Sequence, residues 1–250
     1  MKAVFITGGT TGIGLELAKH YQRNGWKVGV CGRDSAKFEA GFETQRENVY
    51  FYPVDVSDRN ALKEAVQDFS SSIGLDLMIA NAGIGYKSKT KVPDFDYSYK
   101  MVGINFLGVM HAFEAALSIM IPRERGHIVA ISSLAGFNGL PGVSAYSATK
   151  SAVQKYAESL SIDMKQFNID VTTICPGFVE TPLTSTNPHP MPFLVKAPKA
   201  AKLIARAIEK KKMQYSFPFI FAFVVRFLSM LPRTWYRTIM TVKLFNYSKD

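Results

Sequence analysis

Thr7-Gly8-Gly9-Thr10-Thr11-Gly12-Ile13-Gly14 follows a short apolar run over 2–7 and opens an amphipathic stretch through Leu15, Leu17, Ala18 and Tyr21 to Gly25. This order predicts strand, glycine turn, helix. Bare backbone lets a pyrophosphate come close, and the helix N-terminus meets it with unpaired N–H groups. The spacing is Gly-x-x-x-Gly-x-Gly, not the common Gly-x-Gly-x-x-Gly of dinucleotide sites. Alone, such a cluster is also compatible with an ordinary tight turn.

The rest of the chain repeats the alternation. Strands are expected near 2–7, 27–31, 49–53, 75–80, 127–132, 170–175 and 214–217, and helices near 12–24, 35–45, 58–72, 96–121, 144–167 and 198–211. Strands and helices in turn imply a parallel sheet covered on both faces. With 250 residues, 47% of them hydrophobic, the chain can bury a substantial core as a single α/β domain. No linker, internal repeat or low-complexity tract divides it, and the immediate entry into strand one leaves no room for a signal peptide.

Tyr146 and Lys150 stand four residues apart in a segment, 144–167, that reads as one helix capped by Ser144. They share a helix face. A free phenol, with a pKa of about 10, is a poor proton carrier at neutral pH. An ammonium at ~4 Å is worth at most roughly 4 kcal/mol at an effective dielectric of ~20, about 3 pKa units. That would make the tyrosine a usable acid or base. By itself Tyr-x-x-x-Lys is as compatible with a helix surface pair.

Taken jointly, Thr7-Gly8-x-x-x-Gly12-Ile13-Gly14, Asn81-Ala82-Gly83, Asn105, Ser133, Tyr146-x-x-x-Lys150 and Pro176-Gly177 resemble the short-chain dehydrogenase/reductase family in order and spacing over roughly 2–217. Ala80 departs from it, standing where many members carry a second asparagine. The resemblance implies a doubly wound, Rossmann-type sheet of seven parallel strands in the order 3-2-1-4-5-6-7, with the motifs at the strands' carboxyl ends. It implies that Tyr146 exchanges a proton with the substrate oxygen while hydride moves between nicotinamide and the carbonyl carbon. Lys150 would lower the tyrosine pKa and hold the nicotinamide ribose, and Ser133 would hydrogen-bond the carbonyl oxygen. Asn105 would support a water leading protons to Lys150. Gly8, Thr10, Thr11, Gly12, Ile13 and Gly14 would cradle the pyrophosphate, with Asp55 and Val56 at the adenine. Asn81, Ala82 and Gly83 would lie behind the adenosine ribose, and Pro176, Gly177, Val179 and Thr181 at the nicotinamide amide. The function so implied interconverts a carbonyl and an alcohol. A non-catalytic cofactor-binding redox sensor is the alternative, although such members usually lose the tyrosine or lysine. Epimerisation or dehydration of a nucleotide sugar normally needs a larger C-terminal substrate domain than 218–250 allows.

Cofactor choice is read at the end of strand two. An acidic residue there would accept from a ribose 2′-hydroxyl. The chain has Gly32 followed by Arg33, whose guanidinium suits a 2′-phosphate, so NADP(H) is expected. Asp34 is expected to cap the next helix. Cys31 and Cys175 end strands two and six, about 19 Å apart at ~4.8 Å per strand step, beyond the ~7 Å that a disulfide spans. Free thiols are expected, in keeping with a reducing, cytoplasmic compartment. His20, His111, His127 and His189 lack ligand spacing, so no metal is expected.

The substrate pocket is expected to be apolar: Ile84, Tyr86, Leu134, Phe137 and Leu140, with a mobile lid over 182–198 that adds Met191, Phe193, Leu194 and Val195. Only His189 and Lys196 there would meet an anion. The residues thus point to a small hydrophobic carbonyl or alcohol. Charge is concentrated at the far end. Residues 198–250 hold 11 Lys/Arg and 2 Asp/Glu, most of the chain's +10. That tail is also rich in aromatics, including Phe217, Phe219, Phe221, Phe223, Phe227, Trp235, Tyr236 and Phe245. The apolar run 217–231 is too short to span a bilayer. Arg226, Ser229, Arg233 and Arg237 would form one basic stripe on a helix that Pro232 bends or splits. Two readings stay open for 218–247: peripheral contact with the inner face of a membrane, or packing against a second subunit in a dimer or tetramer. Nucleic acid is not expected, because the aromatics exceed what a phosphate-binding stripe needs.

Overall fold

The apolar runs form strands where β-branched and aromatic residues cluster: β1 (Ala3–Thr7), β2 (Lys27–Cys31), β3 (Val49–Tyr52), β4 (Leu77–Ala80), β5 (Gly126–Ile131) and β6 (Ile169–Pro176). Two short strands, β7 (Val179–Glu180) and β8 (Val195–Lys196), precede β9 (Gln214–Phe217). The structure, a computed structural model, describes residues 2–43, 46–85, 92–185 and 190–242. Tyr86, His189 and Phe245, assigned above to the pocket and tail, lie outside them.

The main sheet is wholly parallel, in the order β3-β2-β1-β4-β5-β6-β9. This is the expected doubly wound order, with β9 as its seventh strand. Helices cover both faces. On one, Leu17, Ala18, Phe38 and Ile204 from α1 (Gly12–Arg23), α2 (Ser35–Gly41) and α7 (Ala197–Glu209) pack on Val4, Ile6, Val28 and Val30. On the other, Leu62, Val66, Phe69, Phe113, Ala116 and Val153 pack on Phe5, Met78 and Ile128. They come from α3 (Arg59–Ser72), α5 (Gly108–Met120) and α6 (Ser144–Asp163). With both faces buried, the central strands are near-continuous apolar runs.

Several expectations need correction. The helix foreseen over 96–121 is interrupted: α4 (Phe95–Val102) passes through a π-helical turn at Gly103–Leu107 into α5. Within that turn the fully buried Asn105 amide grips Ile84, accepting from its N–H at 2.8 Å and donating to its carbonyl at 2.9 Å. A π turn inserts one residue into the helix and re-aims a side chain, a local cost that the two Ile84 bonds offset. Helix α2 ends at Gly41, and Phe42 turns back onto Phe38 at 5.1 Å. Helix α6 ends at Asp163 and tightens into a 3₁₀ turn, Met164–Phe167, that Asn168 closes in a left-handed conformation. Ser144 does not cap α6. It is the first helical residue, and the capping position falls on Val143, which offers no side-chain acceptor. Asp34 does cap α2, accepting from the Lys37 N–H at 3.3 Å.

The tail forms two helices, α8 (Phe219–Met230) and α9 (Arg233–Thr241), separated at Leu231 and Pro232. A single basic stripe does not form. Arg226 donates to Gln214 at 2.8 Å and lies over the Phe137 ring, and Arg233 donates to Asn138 at 3.3 Å. One helical stretch, Phe95–Met120, is long and apolar enough to cross a membrane by length and composition alone; its Ala112, Phe113, Ala116 and Met120 are core residues.

Candidate active site

All seven strands of the main sheet end on the same side, and the expected motifs meet there around a cavity of about 290 Å³. Gly8, Thr10, Thr11, Gly12 and Ile13 form one wall, Arg33, Asp55 and Val56 one end, Asn81, Ala82 and Gly83 the floor. Ser133, Tyr146, Lys150, Pro176, Gly177, Val179 and Thr181 line the opposite part. Two expected residues stand behind this lining. Gly14 is buried under the turn, and Asn105 is buried behind Gly83 and Ile84.

The glycine turn is fixed by contacts that admit no side chain. Gly8 has φ +64°, and a Cβ on it would lie 2.8 Å from the Ala82 Cα. A Cβ on Gly14 would lie 2.2 Å from the Gly8 carbonyl oxygen and 2.4 Å from the Asn81 amide nitrogen. Asn81 ties the turn to β4, donating to the Thr7 and Gly8 carbonyls at 3.0 and 3.1 Å, while its own N–H donates to the Thr7 hydroxyl at 3.0 Å. The N-cap of α1, Thr11, makes no side-chain cap bond, and no acidic residue occupies the first turn. The helix therefore presents uncapped N–H groups to the cavity, a site that suits a phosphate diester.

At the end of the cavity near Arg33, a Cβ on Gly32 would come within 3.0 Å of the Thr10 side chain, so bulk there would have to displace it. Arg33 is exposed, with Nη1 3.6 Å from Asp55 Oδ2. Asp55 is held by Ser57, whose N–H and hydroxyl donate to it at 2.9 and 2.8 Å. Lys37, one turn into α2, lines the same end 3.4 Å from Asp34. Sequence reading missed Lys37, although a cation four residues after Arg33 on a newly capped helix is a recognisable signal.

At the other end the catalytic candidates converge. Ser133 accepts from the Ala135 N–H at 3.1 Å, which orients its hydroxyl. Burial pushes the Tyr146 phenol above its ordinary pKa of 10.0, and hydrogen bonding with Ser133 works against that rise. Burial lowers the Lys150 ammonium to about 8, opposed in part by Cys175. Lys150 donates to the Ile131 carbonyl at 2.9 Å, and its nitrogen is 5.8 Å from the Tyr146 ring centroid. Lys150 is turned to the strand end with its ammonium beside the Tyr146 ring, and burial is the largest influence on the phenol. The side-chain amide of Asn105 is fully engaged. Its bonds go to Ile84 and, at 3.4 Å, to Thr149, so it fixes the floor of the site against α6.

Two positioning residues escaped the sequence reading. Ser132 donates to the Lys150 carbonyl at 2.8 Å, and Gln154 donates to Ser132 Oγ at 3.2 Å and to the Ser133 carbonyl at 2.9 Å. Together they lock the end of β5 to α6, and with it Ser133 to Tyr146. Cys31 and Cys175 are free and buried, and burial pushes both thiols up to about 12, so neither is a nucleophile at neutral pH. Among the described residues, no group of three or more His, Cys, Asp or Glu can hold a metal.

Residues 2–191 match the family model for short chain dehydrogenase. An uncharacterized oxidoreductase of Myxococcus xanthus is 36% identical over 235 residues, covering 92% of this chain and 93% of that protein. Among solved structures, ElxO with NADP bound superposes with TM-score 0.76 at 27% identity, over 86% of this chain and 96% of that one. A 3-ketoacyl-(acyl-carrier-protein) reductase from Brucella melitensis complexed with NADH gives 0.79 at 25% identity, over 86% and 96%.

Proposed function

The chain belongs to the short-chain dehydrogenase/reductase family and is an oxidoreductase; from that premise we propose an NADPH-dependent reductase of a small, hydrophobic carbonyl compound. The observation that carries this reading is the meeting of Ser133, Tyr146 and Lys150 at one end of a cavity whose other end presents Arg33 and Lys37 beside Gly32. The residues fit a phosphorylated dinucleotide. The turn from Gly8 to Gly14 takes the pyrophosphate, and Arg33 and Lys37 pair with the 2′-phosphate. Asp55 and Val56 flank the adenine, Asn81 to Gly83 lie under the ribose, and Pro176, Gly177, Val179 and Thr181 receive the nicotinamide amide. ElxO, a structural neighbour, binds NADP, which agrees; the Brucella neighbour holds NADH, so the choice rests on Gly32, Arg33 and Lys37.

Bound there, the cofactor supplies the hydride that reduces the carbonyl carbon. Ser133 donates to the carbonyl oxygen and stabilises the charge that develops on it. Tyr146 then gives its phenolic proton to that oxygen, completing the alcohol. Lys150, beside the Tyr146 ring, would hold the nicotinamide ribose and contribute positive charge next to the phenol. Asn105 keeps Ile84 and the floor in register. The apolar cluster of Leu134, Phe137, Phe178, Phe193 and Phe221, beside Ser133 and Gly177, favours a hydrophobic substrate.

We assign 1–217 as the catalytic unit and 218–250 as an extension of it. Exposed Phe95, Tyr99, Val102 and Leu107 on the α4–α5 face suit a homo-oligomer. A panel of ketones and aldehydes with NADPH, followed at 340 nm, tests the reading. Tyr146→Phe should abolish turnover by at least about 10²-fold while NADPH still binds; retained turnover would reject Tyr146 as the acid. A sugar or short hydroxy acid as best substrate would overturn the hydrophobic assignment.

A further inference from the structure

The two faces of α8 have different surroundings. Ala222 and Val225 pack on Leu134 and Phe137, in the loop that follows Ser133. Phe221 stacks on Phe178 and Phe193 at 5.8 and 6.2 Å. Helix α9 is tied to the same loop: the Tyr236 hydroxyl donates to the Gly139 carbonyl at 2.7 Å, and Arg233 donates to Asn138. The inner face of the tail thus packs on the loop after Ser133 and beside Gly177, which lines the cavity. The outer face is apolar and faces outward, with Phe219, Phe223, Phe227 and Met230 at 81%, 64%, 56% and 82% exposure and Trp235 of α9 at 65%. These α8 positions are spaced i, i+4, i+8 and i+11, a single stripe.

Charge selects what covers the stripe. From residue 210 to 249 the sequence carries eight Lys/Arg and no Asp/Glu, a cationic segment although Lys211 pairs with Asp170 and Arg226 and Arg233 turn to Gln214 and Asn138. A second copy meeting this face about a two-fold axis would bring two cationic surfaces together. An anionic lipid surface complements both properties at once, taking aromatics into the acyl boundary and cations at the phosphates. We propose that α8 and α9 lie in the interface of an anionic membrane, so that a lipid-soluble carbonyl compound enters the mouth from the bilayer along Phe221. The route of the substrate rests on the reductase reading; the membrane contact does not.

The test is co-sedimentation of the full chain with vesicles of phosphatidylcholine alone or mixed with phosphatidylglycerol. Binding is expected to the anionic vesicles, to weaken as salt rises, and to fall about tenfold or more in Phe223→Asp/Phe227→Asp. That variant should keep NADPH binding and turnover of a water-soluble ketone, which shows that it folds. No binding to anionic vesicles at low salt overturns the proposal. So does a double variant that binds vesicles as the wild type does, or one that shifts only the oligomeric state in sedimentation velocity, which would give the face to a second copy. Vesicle binding without reduction of any ketone would sink the reductase reading instead and leave the membrane contact standing.

Discussion

The glycine turn lines the cavity and the C-terminal pair of helices packs on the loop after Ser133, yet the two are held in opposite ways. The turn is fixed by backbone against backbone: Gly8 and Gly14 sit where any Cβ would strike the main chain or Asn81, and the Thr7 and Gly8 carbonyls are claimed by the Asn81 amide. The tail is held by side chains on one face and by almost nothing on the other, since Ala222, Tyr236 and Met240 are its only buried residues among those described. Where backbone contacts fix geometry, residue identity is forced and function can be read from spacing. Where packing is one-sided, many sequences would serve, and the exposed face is free to be selected for a partner.

The hardest test of that contrast is Gly14→Val. Its side chain would have to displace the Gly8 carbonyl and the Asn81 amide, neither of which can yield without opening the turn. Loss of roughly 4 kcal/mol or more, with cofactor binding abolished, is expected from overpacking combined with broken buried hydrogen bonds. Phe227→Ala, on the outer face of α8, should change thermal stability by less than about 0.5 kcal/mol. Equal losses in thermal melts of the two variants would break the comparison.

Lys150 gives the next largest effect, and in the opposite direction. Burial lowers its ammonium from 10.5 to about 8, so the folded chain binds that proton less well than the unfolded chain. The penalty to folding, about 3 kcal/mol, is full below pH ~8, shrinks as pH rises toward ~10.5, and is absent above that. Lys150→Met removes it and sacrifices the bond to the Ile131 carbonyl, worth about 1 kcal/mol. A net gain of roughly 2 kcal/mol at pH 7, or about 4–8 °C in Tm, should therefore accompany loss of turnover. In scans at rising pH the advantage should disappear. A variant less stable than wild type at pH 7 would show that the lysine is well accommodated as a cation.

Legibility in the sequence follows the same division. The glycine turn and the strand–helix alternation were readable from local spacing, while the strand order and the joint Ser133, Tyr146 and Lys150 set came through the family resemblance that those spacings carry. What escaped depends on partners distant in sequence. Nothing in Gly103 to Leu107 announces a π turn; its reason is Ile84, about twenty positions away. The arginines at 226 and 233 have helical spacing suited to a stripe, but Gln214 and Asn138 claim them individually. Lys150 sits at the right spacing from Tyr146, yet the Ile131 carbonyl, on another element, decides where its ammonium points. Ser144 is a good capping residue placed one position too late.

Cofactor choice lies between the two regimes, because Gly32 is limited by space and Arg33 by charge. Arg33→Ala leaves Lys37 in place and should weaken NADPH by about tenfold with little effect on NADH, the loss of one charge-assisted contact. Adding Gly32→Asp puts a carboxylate beside Thr10 and where a 2′-phosphate would lie, and should reverse the preference, read as the ratio of kcat/KM for the two cofactors. An unchanged ratio in the double variant would remove this end of the cavity from any role in selection.

The smallest effect should come from the latch between the tail and the active-site loop. Tyr236→Phe keeps the ring and its packing but deletes the donor to Gly139, three residues past the 3₁₀ turn Leu134–Gly136. One neutral hydrogen bond is worth about 1 kcal/mol, so Tm should fall by roughly 2–4 °C. If the latch merely adds stability, KM for a hydrophobic ketone will stay put. If it holds the mouth in shape, KM should rise a few-fold while kcat and NADPH binding are preserved, because Ser133 and Tyr146 are fixed separately through Gln154 and Ser132. A fall in kcat instead would mean that the tail reaches the chemistry itself, and the division between a backbone-fixed site and a loosely held wall would be drawn in the wrong place.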